Sequence, residues 1–465
     1  MTGLQRAFGC LTLVATSLAA QGLAAQGPPE ASPAKPQHWP QFRGAHAGGV
    51  ADCTVPTTWD VDKGTNVAWK TEVPGLAHSS PIVWGDRVFV TTAVRKGEAA
   101  KLSSLYGSKG YGAGDAVADE ASHEFKVYCF DKNSGKVVWQ RTAHVGVPRA
   151  KRHPKSSHAN CTPACDAERL VVFFASEGLF CFDHDGELLW KRDLGVLDSG
   201  APGYGKKGYQ WGFASSPVLF GDRVFVQCDH EGESFVASID LKNGKDVWRV
   251  ARDEDSTWCT PTVLPAGPNN VAQVILNGYK HIGGYDLATG NEVWKLVGGG
   301  DVPVPTPVVA HGLVFLTSAH GRSRPLRAVK VTARRLLKDD NADEYIEWEH
   351  RRRGVYMQTP LAYGDQLYAC SDGGILSCYE AETGLRVYRQ RLGTGKTGFS
   401  GSPVAAGGKV YLSGEVGEVH VVKAGEDFKL LAVNDMGATL MATPAIAGGT
   451  LFVRTRHHVI ALREK

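Results

Sequence analysis

The chain has 465 residues, of which 43% are hydrophobic and 21% are charged, and its net charge is +3. This composition is typical of a folded globular protein and excludes a chain that is mostly disordered. A charge so close to balance gives no support for bulk binding of nucleic acid, so we expect no nucleic-acid partner. A chain of this length must be searched for internal repeats before it is divided into ordinary domains.

The first 25 residues have the pattern of a secretory signal peptide. Arg6 precedes an apolar run from Cys10 to Ala20, and small residues follow as far as Ala25. The run is shorter than the roughly 20 residues that cross a bilayer, so export is predicted in preference to a membrane anchor. Residues 26–59 are predicted as a leader and N-terminal extension. We expect an exported protein, periplasmic or extracellular, with no transmembrane span.

One short phrase recurs five times along the chain. In each copy an acidic residue ends an apolar run, a glycine follows, and an aromatic residue stands four positions after the glycine. The copies are FDKNSGKVVW (130–139), FDHDGELLW (182–190), IDLKNGKDVW (239–248), YDLATGNEVW (285–294) and YEAETGLRVY (379–388). Asp and Gly are turn residues, and the flanking segments alternate with period two. Each copy therefore predicts two antiparallel strands joined by a turn.

A second pattern lies between these phrases. A proline opens an apolar strand, usually followed by Gly-Asp or Gly-Gly and another strand, at positions 81, 163, 217, 261, 307, 360, 403 and 444. Neighbouring prolines are as close as 41 residues, from 403 to 444, which suits a four-stranded propeller blade. The sequence predicts an all-β fold over residues 60–465, an eight-bladed β-propeller of four-stranded antiparallel blades.

The two ends of the repeat region are predicted to meet. The last unit, which begins near Thr443, stops after three strands, whereas NVAWKTEVPG (66–75) carries a strand with Trp69 before the first unit. We predict that this N-terminal strand completes the last blade, because closure removes two exposed sheet edges. The recurring tryptophans are predicted to pack between neighbouring blades. Insertions at 95–124 and 196–212 are predicted as surface loops on one face.

The repeated Asp-x-x-Thr-Gly-x-x-x-Trp phrase resembles the tryptophan-docking repeat of pyrroloquinoline-quinone (PQQ)-like, or quinoprotein alcohol dehydrogenase-like, β-propellers. The opening WPQFRG (39–44) is similar to the start of secreted bacterial members. The resemblance covers roughly residues 60–465 and implies one of two functions. Some members are dehydrogenases that hold PQQ and Ca²⁺ in the central funnel. Others, related to the outer-membrane barrel-assembly propeller lipoprotein, bind proteins and carry no cofactor.

The residues favour the second function. The dehydrogenases typically have a Glu–Asn–Asp set for Ca²⁺, a catalytic Asp, a stacking Trp and often two adjacent cysteines. This chain has no Cys-Cys pair and no Cys-x-x-Cys-His haem motif, and none of its residues can be matched to that set, so its catalytic residues are unknown. We predict a non-catalytic scaffold that binds a protein, a cell-envelope component or a small ligand. A PQQ- and Ca²⁺-dependent dehydrogenase is the alternative.

Side chains just before the prolines are expected to face the central funnel, because the innermost strand of each blade begins there. The candidates combine imidazole, hydroxyl, amide and aromatic groups, which suit a small planar or sugar-like ligand. They are His78, Ser79, His158, Asn160, Trp211, Phe213, Trp258 and Gln358. The alternative is that these side chains fill the channel and satisfy one another.

Two basic segments predict a positively charged rim for an anionic partner, provided that they lie on one face. The rim candidates are Arg149, Lys151, Arg152, Arg351 and Arg352. A solvated charged loop is the simpler interpretation of the same residues. We expect a monomer, since no feature of the sequence indicates an oligomer.

The cysteines indicate neither a metal site nor a certain disulfide. Cys161, Cys165 and His158 lie close together, but an extended strand separates positions i and i+4 by about 13 Å, so no metal site is predicted. A hairpin centred on Gly374 would place Cys370 opposite Cys378. A disulfide and a pair of small buried side chains both remain open there.

Overall fold

The computed structural model describes residues 38–98, 100, 116–200, 210–337 and 342–464. Within them the chain forms eight antiparallel sheets, each built on four strands. The prediction of an all-β, eight-bladed propeller is confirmed. The predicted signal peptide, residues 1–25, lies outside the described residues, as do residues 101–115 and 201–209 of the two predicted insertions.

Blades 1 to 4 follow the chain, and within each blade the strands run in order from the innermost to the outermost. Blade 1 comprises Ile82–Trp84, Arg87–Arg95, His123–Asp131 and Val137–Gly146. Blade 2 comprises Ala164–Cys165, Arg169–Phe173, Leu179–Asp183 and Leu188–Arg192. Blade 3 comprises Val218–Phe220, Arg223–Cys228, Phe235–Asp240 and Asp246–Ala251. Blade 4 comprises Thr262–Leu264, Gln273–Leu276, His281–Asp286 and Glu292–Val297.

Blades 5 to 7 repeat this arrangement. Blade 5 comprises Val308–Ala310, Leu313–Thr317, Leu326–Lys330 and Ile346–His350. Blade 6 comprises Leu361–Tyr363, Gln366–Cys370, Ile375–Glu380 and Arg386–Arg391. Blade 7 comprises Val404–Ala406, Lys409–Ser413, Glu418–Lys423 and Leu430–Asp435. Short additions are the strands Val50–Ala51 on blade 7 and Arg335–Leu337 on blade 4, the 3₁₀ turn Ala175–Glu177 and the helix Ala342–Tyr345.

Blade 8 joins the two ends of the propeller. Its three C-terminal strands are Ala445–Ala447, Thr450–Arg454 and His458–Leu462, and its outermost strand is Val67–Glu72. Trp69 lies opposite Ala461 in the antiparallel register between them. The predicted closure is confirmed, and the ring has no open seam between its first and last blades.

The tryptophans of the repeat seal neighbouring blades, as predicted. Each of five indoles lies over the turn glycine of the next blade, where an added Cβ would come within 3 Å of the ring. The indole N–H donates to a backbone carbonyl of the same turn at 2.8–3.1 Å. The pairs are Trp69–Gly135, Trp139–Gly186, Trp190–Gly244, Trp248–Gly290 and Trp348–Gly384. Within one phrase, the glycine therefore contacts the tryptophan of the preceding blade, and the tryptophan contacts the glycine of the next blade.

Trp294 departs from this pattern. Its indole N–H donates to Gln273 Oε1 of its own blade at 2.8 Å. The reason lies in blade 5, whose third and fourth strands are joined by a longer segment without the Asp-to-Gly turn. Instead, Arg335–Leu337 from that segment pairs in parallel with the strand that carries Trp294.

The WPQFRG segment ties several blades together. Trp39 pairs with Val83 of blade 1, and the carbonyl of Pro40 accepts a hydrogen bond from Cys165 N of blade 2 at 2.8 Å. Gln41 Oε1 accepts from Leu219 N of blade 3 at 2.9 Å. Arg43, which is 1% exposed, donates to the carbonyls of Pro360 and Pro403 in blades 6 and 7. The predicted N-terminal extension therefore crosses the ring, although the domain boundary at residue 60 stays a prediction.

The cysteines of the described residues are all free thiols, and all but Cys53 are buried. The suggested disulfide is wrong, because Cys370 lies opposite Leu376 and Cys378 lies opposite Tyr368. The hairpin is centred on Gly373 and not on Gly374. Moving the centre by one residue changes the residue opposite Cys370 by two positions, from Cys378 to Leu376. Burial raises the pKa of the Cys378 thiol to about 12, so it is protonated at neutral pH and unreactive.

Candidate functional site in the axial funnel

A belt of hydroxyl residues surrounds the axis of the propeller. Each blade contributes the Ser or Thr that directly precedes its proline, and seven of these residues donate their backbone N–H to the hydroxyl of the next blade at 2.9–3.3 Å. The belt consists of Ser80, Thr162, Ser216, Thr260, Thr306, Thr359, Ser402 and Thr443. Because proline cannot donate, the residue before it supplies the inter-blade bond at the crowded centre.

The belt encircles a cavity of about 580 Å³, and all eight of its residues line that cavity. Phe42, from the WPQFRG segment, also lines it. This volume falls within the range of roughly 300–1,000 Å³ that is typical of sites for small molecules. The funnel is therefore a site of ligand size.

One wall of the funnel is aromatic. The ring centroids of Trp211 and Trp258 lie 5.8 Å apart at an interplanar angle of 39°. The imidazole of His153 meets Trp211 edge-on at 5.7 Å, and His320 lies 5.1 Å from the ring of Tyr356. The Trp258 indole N–H donates to the Gly212 carbonyl at 2.6 Å, so this indole is fixed in place.

The segment 155–160 contributes polar groups to the funnel lining. Lys155 forms an ion pair with Glu415, whose side chain is 1% exposed, and Ser400 Oγ donates to the same carboxylate oxygen at 2.6 Å. Asn160 Nδ2 donates to Ser156 Oγ at 2.8 Å and to the Phe213 carbonyl at 3.1 Å. These bonds hold the segment rigid and neutralise the Lys155 ammonium.

The imidazoles of His78 and His320 are neutral at neutral pH. Burial, together with the nearby positive charge of Arg454, lowers the pKa of His78 to about 3. Burial also lowers the pKa of His320. Lys155 is paired with Glu415, and Asp372 is the only carboxylate among the described residues of the lining. The funnel consequently presents mainly neutral hydrogen-bonding groups at neutral pH.

The predicted funnel residues divide into two groups. His78, Asn160, Trp211 and Trp258 line the cavity, whereas Ser79, His158, Phe213 and Gln358 do not. Successive side chains of an extended segment point in opposite directions, so only part of each run before a proline can face the axis. Whether the lining residues bind a ligand stays a prediction.

The side chains outside the lining have other partners. Ser79 Oγ accepts a hydrogen bond from Arg454 at 2.8 Å, and Gln358 Nε2 donates to the Gly401 carbonyl at 2.7 Å. The Phe213 ring packs edge-on against Phe173 at 5.3 Å. His158 bonds to Asp119, as described below.

The hydroxyl belt was not predicted as a set, although its signal was present in the Ser or Thr before all eight prolines. His320 and Asp372, which line the cavity from loops of blades 5 and 6, were not predicted either. No repeated position marks these two residues. Their place is visible only in the tertiary structure.

The basic rim needs one correction. The Arg152 side chain is 2% exposed and forms an ion pair with Asp119 at 2.7 Å, so it is not a rim residue. Arg149 is exposed but donates to Asp193 at 3.0 Å. Lys151, Arg351 and Arg352 are exposed, and their role in binding stays a prediction.

The funnel does not fit PQQ with Ca²⁺. A Ca²⁺ ion takes six to eight oxygen ligands, most often carboxylates, and among the described residues that line the cavity Asp372 is the only carboxylate. PQQ is a flat tricarboxylate, whereas Trp211 and Trp258 are inclined by 39° and the lining ammonium of Lys155 is already paired. The residues present therefore provide neither the cation site nor a parallel slot for this cofactor.

A family model described as outer membrane protein assembly factor BamB matches residues 123–390 and 233–465, which together cover more than half of the chain. The chain belongs to this family. The structure is consistent with that assignment, since the matched residues comprise blades 2 to 7 and most of blades 1 and 8.

Solved structures share the fold at low sequence identity. BamB from Moraxella catarrhalis is 14% identical, with a TM-score of 0.58 over 85% of this chain and 99% of that one. A europium-containing methanol dehydrogenase is 12% identical, with a TM-score of 0.57 over 92% and 90%. The quinohemoprotein alcohol dehydrogenase from Comamonas testosteroni is 10% identical, with a TM-score of 0.57 over 91% and 80%. Structural relatives therefore include both an assembly factor and enzymes.

A curated relative is the tetrathionate hydrolase of Acidithiobacillus ferrooxidans, which is 27% identical over 212 residues. The match covers 42% of this chain and 37% of the relative, so the two proteins are compared over well under half of each. Among the described residues, no helix has the length and apolar character of a membrane span.

Proposed function

We propose that this protein is a binding scaffold that holds a neutral, hydroxyl-bearing ligand of the carbohydrate class in its axial funnel. The observation that carries the proposal is the lining of the 580 Å³ cavity, where two indoles face a belt of eight hydroxyl residues. Aromatic surfaces combined with a few fixed polar groups are the usual composition of small-molecule sites.

The charge of the funnel selects against strongly ionic ligands. Lys155 is paired with Glu415, and the lowered pKa values of His78 and His320 leave both imidazoles neutral. A multiply charged anion would lose its hydration without gaining a free partner of opposite charge. A neutral ligand avoids this cost and can use the polar side chains as donors and acceptors.

The indoles suit the apolar face of a sugar ring. Trp211 and Trp258 form a wall of two inclined indoles, and Tyr356 and His320 add a second aromatic pair. An amphipathic ring can pack its C–H groups on this surface while its hydroxyls reach polar side chains. The rigid hydrogen bonds of Trp258 and Asn160 reduce the entropy lost on binding.

The family assignment supports an exported scaffold. Its description names an assembly factor of the outer membrane, which agrees with export predicted from residues 1–25. A periplasmic location and a monomeric state belong to this proposal. A protein partner on the face loops is the second candidate, and the same family description favours it.

Enzymatic alternatives have weaker support. The europium-containing and quinohemoprotein dehydrogenases share only the fold, and the funnel lacks the ligands that their cofactor chemistry would need. Tetrathionate is a dianion, and the neutral funnel offers it little compensation for lost hydration. PQQ with Ca²⁺ and tetrathionate therefore serve as the comparison ligands.

Calorimetric titration of the purified chain tests the proposal, with maltotriose and diacetylchitobiose as neutral probes. Binding is expected for at least one sugar, and Trp258→Ala should weaken it by more than tenfold. Trp84→Ala is the control, because Trp84 stacks on His38 away from the funnel. Binding of PQQ with Ca²⁺ or of tetrathionate, with no heat from either sugar, would contradict the proposal.

A further inference from the structure

Three potential metal ligands converge outside the funnel. Asp119, His123 and His158 each present one ligand atom, and these atoms all lie within 4.8 Å of one another. His158 Nε2 is 2.9 Å from Asp119 Oδ2. The rings of His123 and His158 are 5.3 Å apart at an angle of 73°.

His123, a member of this cluster, has a buried ring nitrogen without a hydrogen-bond partner among the described residues. The residue is 1% exposed, and its Nδ1 lies 2.8 Å from the Ala121 carbonyl. A carbonyl only accepts, so Nδ1 carries the proton and Nε2 presents a lone pair. Among the described residues Nε2 is buried without a hydrogen-bond partner. An uncompensated buried acceptor is costly, and a metal ion would remove that cost.

The arrangement around His123 matches that of metal-binding imidazoles. Such a histidine usually donates its second ring N–H to a carbonyl or carboxylate, which fixes the tautomer and the ring orientation. His123 also begins the strand His123–Asp131, where it pairs with Arg95 and Gly146. The ligand is thus held by a rigid element before any ion arrives.

The Asp119 carboxylate is also held in place by a hydrogen bond from a neighbouring side chain. Arg152 Nε donates to Asp119 Oδ2 at 2.7 Å, and the Arg152 side chain is 2% exposed. Ligating carboxylates are commonly held by such outer hydrogen bonds. Zinc bonds of about 2.0–2.1 Å in tetrahedral geometry require ligand atoms roughly 3.4 Å apart, so small side-chain rotations close the site.

We propose that Asp119, His123 and His158 bind a divalent transition-metal ion of the zinc class, with water in the fourth position. Two imidazoles and one carboxylate are a typical zinc ligand set. The ion would take the place of the hydrogen bond between His158 Nε2 and Asp119 Oδ2. No metal site was predicted from the sequence, and this site is independent of any ligand in the funnel.

The ion would fasten two segments that are far apart in sequence. Asp119 belongs to the insertion 95–124, whereas His158 belongs to the segment that supplies Lys155 and Asn160 to the funnel wall. The two segments are already paired through the backbones of Val117 and Arg152. Metal binding would stabilise this pairing and hence the funnel wall.

The test uses the full chain, stripped with a chelator that is then removed. Zn²⁺ is titrated against a chromophoric chelator, and Co²⁺ is added separately to record visible absorption. We expect one tight Zn²⁺ site per chain, a four-coordinate Co²⁺ spectrum and a higher melting temperature with metal. His123→Gln and Asp119→Asn should weaken binding by more than the roughly 10–100-fold that loss of an outer-shell partner causes.

His457→Gln is the matched control, since His457 is an exposed imidazole outside the cluster. Its affinity for Zn²⁺ should equal that of the wild type. Absence of a stoichiometric Zn²⁺ site in the wild type, or an unchanged affinity in His123→Gln, would overturn the proposal. If a variant fails to fold, the wild-type Co²⁺ spectrum decides, because an octahedral spectrum of weak intensity contradicts the protein site.

Discussion

Trp69 closes the propeller by packing on Gly135, and the ring Cδ2 would lie only 2.4 Å from a Cβ added to that glycine. Its indole N–H donates to the Lys132 carbonyl of the same turn at 2.8 Å. Trp69 belongs to blade 8 and Gly135 to blade 1. The contact that joins successive blades elsewhere in the ring therefore also joins the last blade to the first.

Gly135→Ala should destabilise the closed ring. The new methyl group collides with Trp69, in addition to the strain of a side chain at φ +68°. Gly64→Ala is the matched control, because Gly64 has φ +71° and nothing within 4 Å of the added Cβ. In urea unfolding, Gly135→Ala should lower the free energy of unfolding by about 1–3 kcal/mol more than Gly64→Ala does. Equal losses of unfolding free energy in the two variants would show that the indole contact is not tight.

Thr260→Val tests the hydroxyl belt. Thr260 Oγ1 accepts from Ser216 N at 3.1 Å, and valine has nearly the same shape but no acceptor. The buried N–H would lose its partner at a cost of about 1–3 kcal/mol. The exposed Thr58→Val should change the free energy of unfolding by less than about 0.5 kcal/mol. Thermal melting of both variants measures the difference in their stability. If the Thr260 hydroxyl only fills space, that difference should be near zero.

Arg43→Lys tests the segment that crosses the ring. The Arg43 guanidinium donates to carbonyls of Ala47, Pro360 and Pro403, and burial lowers its pKa to about 9. A lysine ammonium cannot reproduce this planar set of donors. We expect chemical denaturation to show a free energy of unfolding that is roughly 1–3 kcal/mol lower than that of the wild type. The exposed Arg353→Lys should behave like the wild type, and an equally stable Arg43→Lys would contradict the proposed tie.

Glu254 should make stability fall as the pH rises. Burial raises its pKa from the ordinary 4.5 to about 7, although the neighbouring Arg252 opposes the shift. Between these two values the folded chain binds more protons than the unfolded chain, so the free energy of unfolding decreases with increasing pH. The effect is absent below pH 4.5 and complete above pH 7.

Glu254→Gln removes this titration. Relative to the wild type, the variant should gain stability as the pH is raised from 4.5 to 7.5 in urea unfolding series. Glu426→Gln is the control, because that carboxylate is exposed. Parallel stability profiles for the wild type and Glu254→Gln would show that Glu254 titrates normally.

The candidate site was only partly predictable from the sequence. The prolines located the inner strands, so His78, Asn160, Trp211 and Trp258 were identified among the lining residues. His158, two positions before Asn160, bonds to Asp119 instead. The direction of a side chain in an irregular segment depends on backbone torsions that the residue types alone do not specify.

Sequence by itself determined the ring, its eight blades and the strand that closes it. Turn residues, alternation and proline spacing are local signals, and each blade repeats them. Tertiary structure alone decided that Arg152 is buried, that Cys370 misses Cys378 and that Asp119, His123 and His158 meet. These outcomes depend on strand register and on contacts between distant segments, and the free energy of such contacts is set by the whole packed chain.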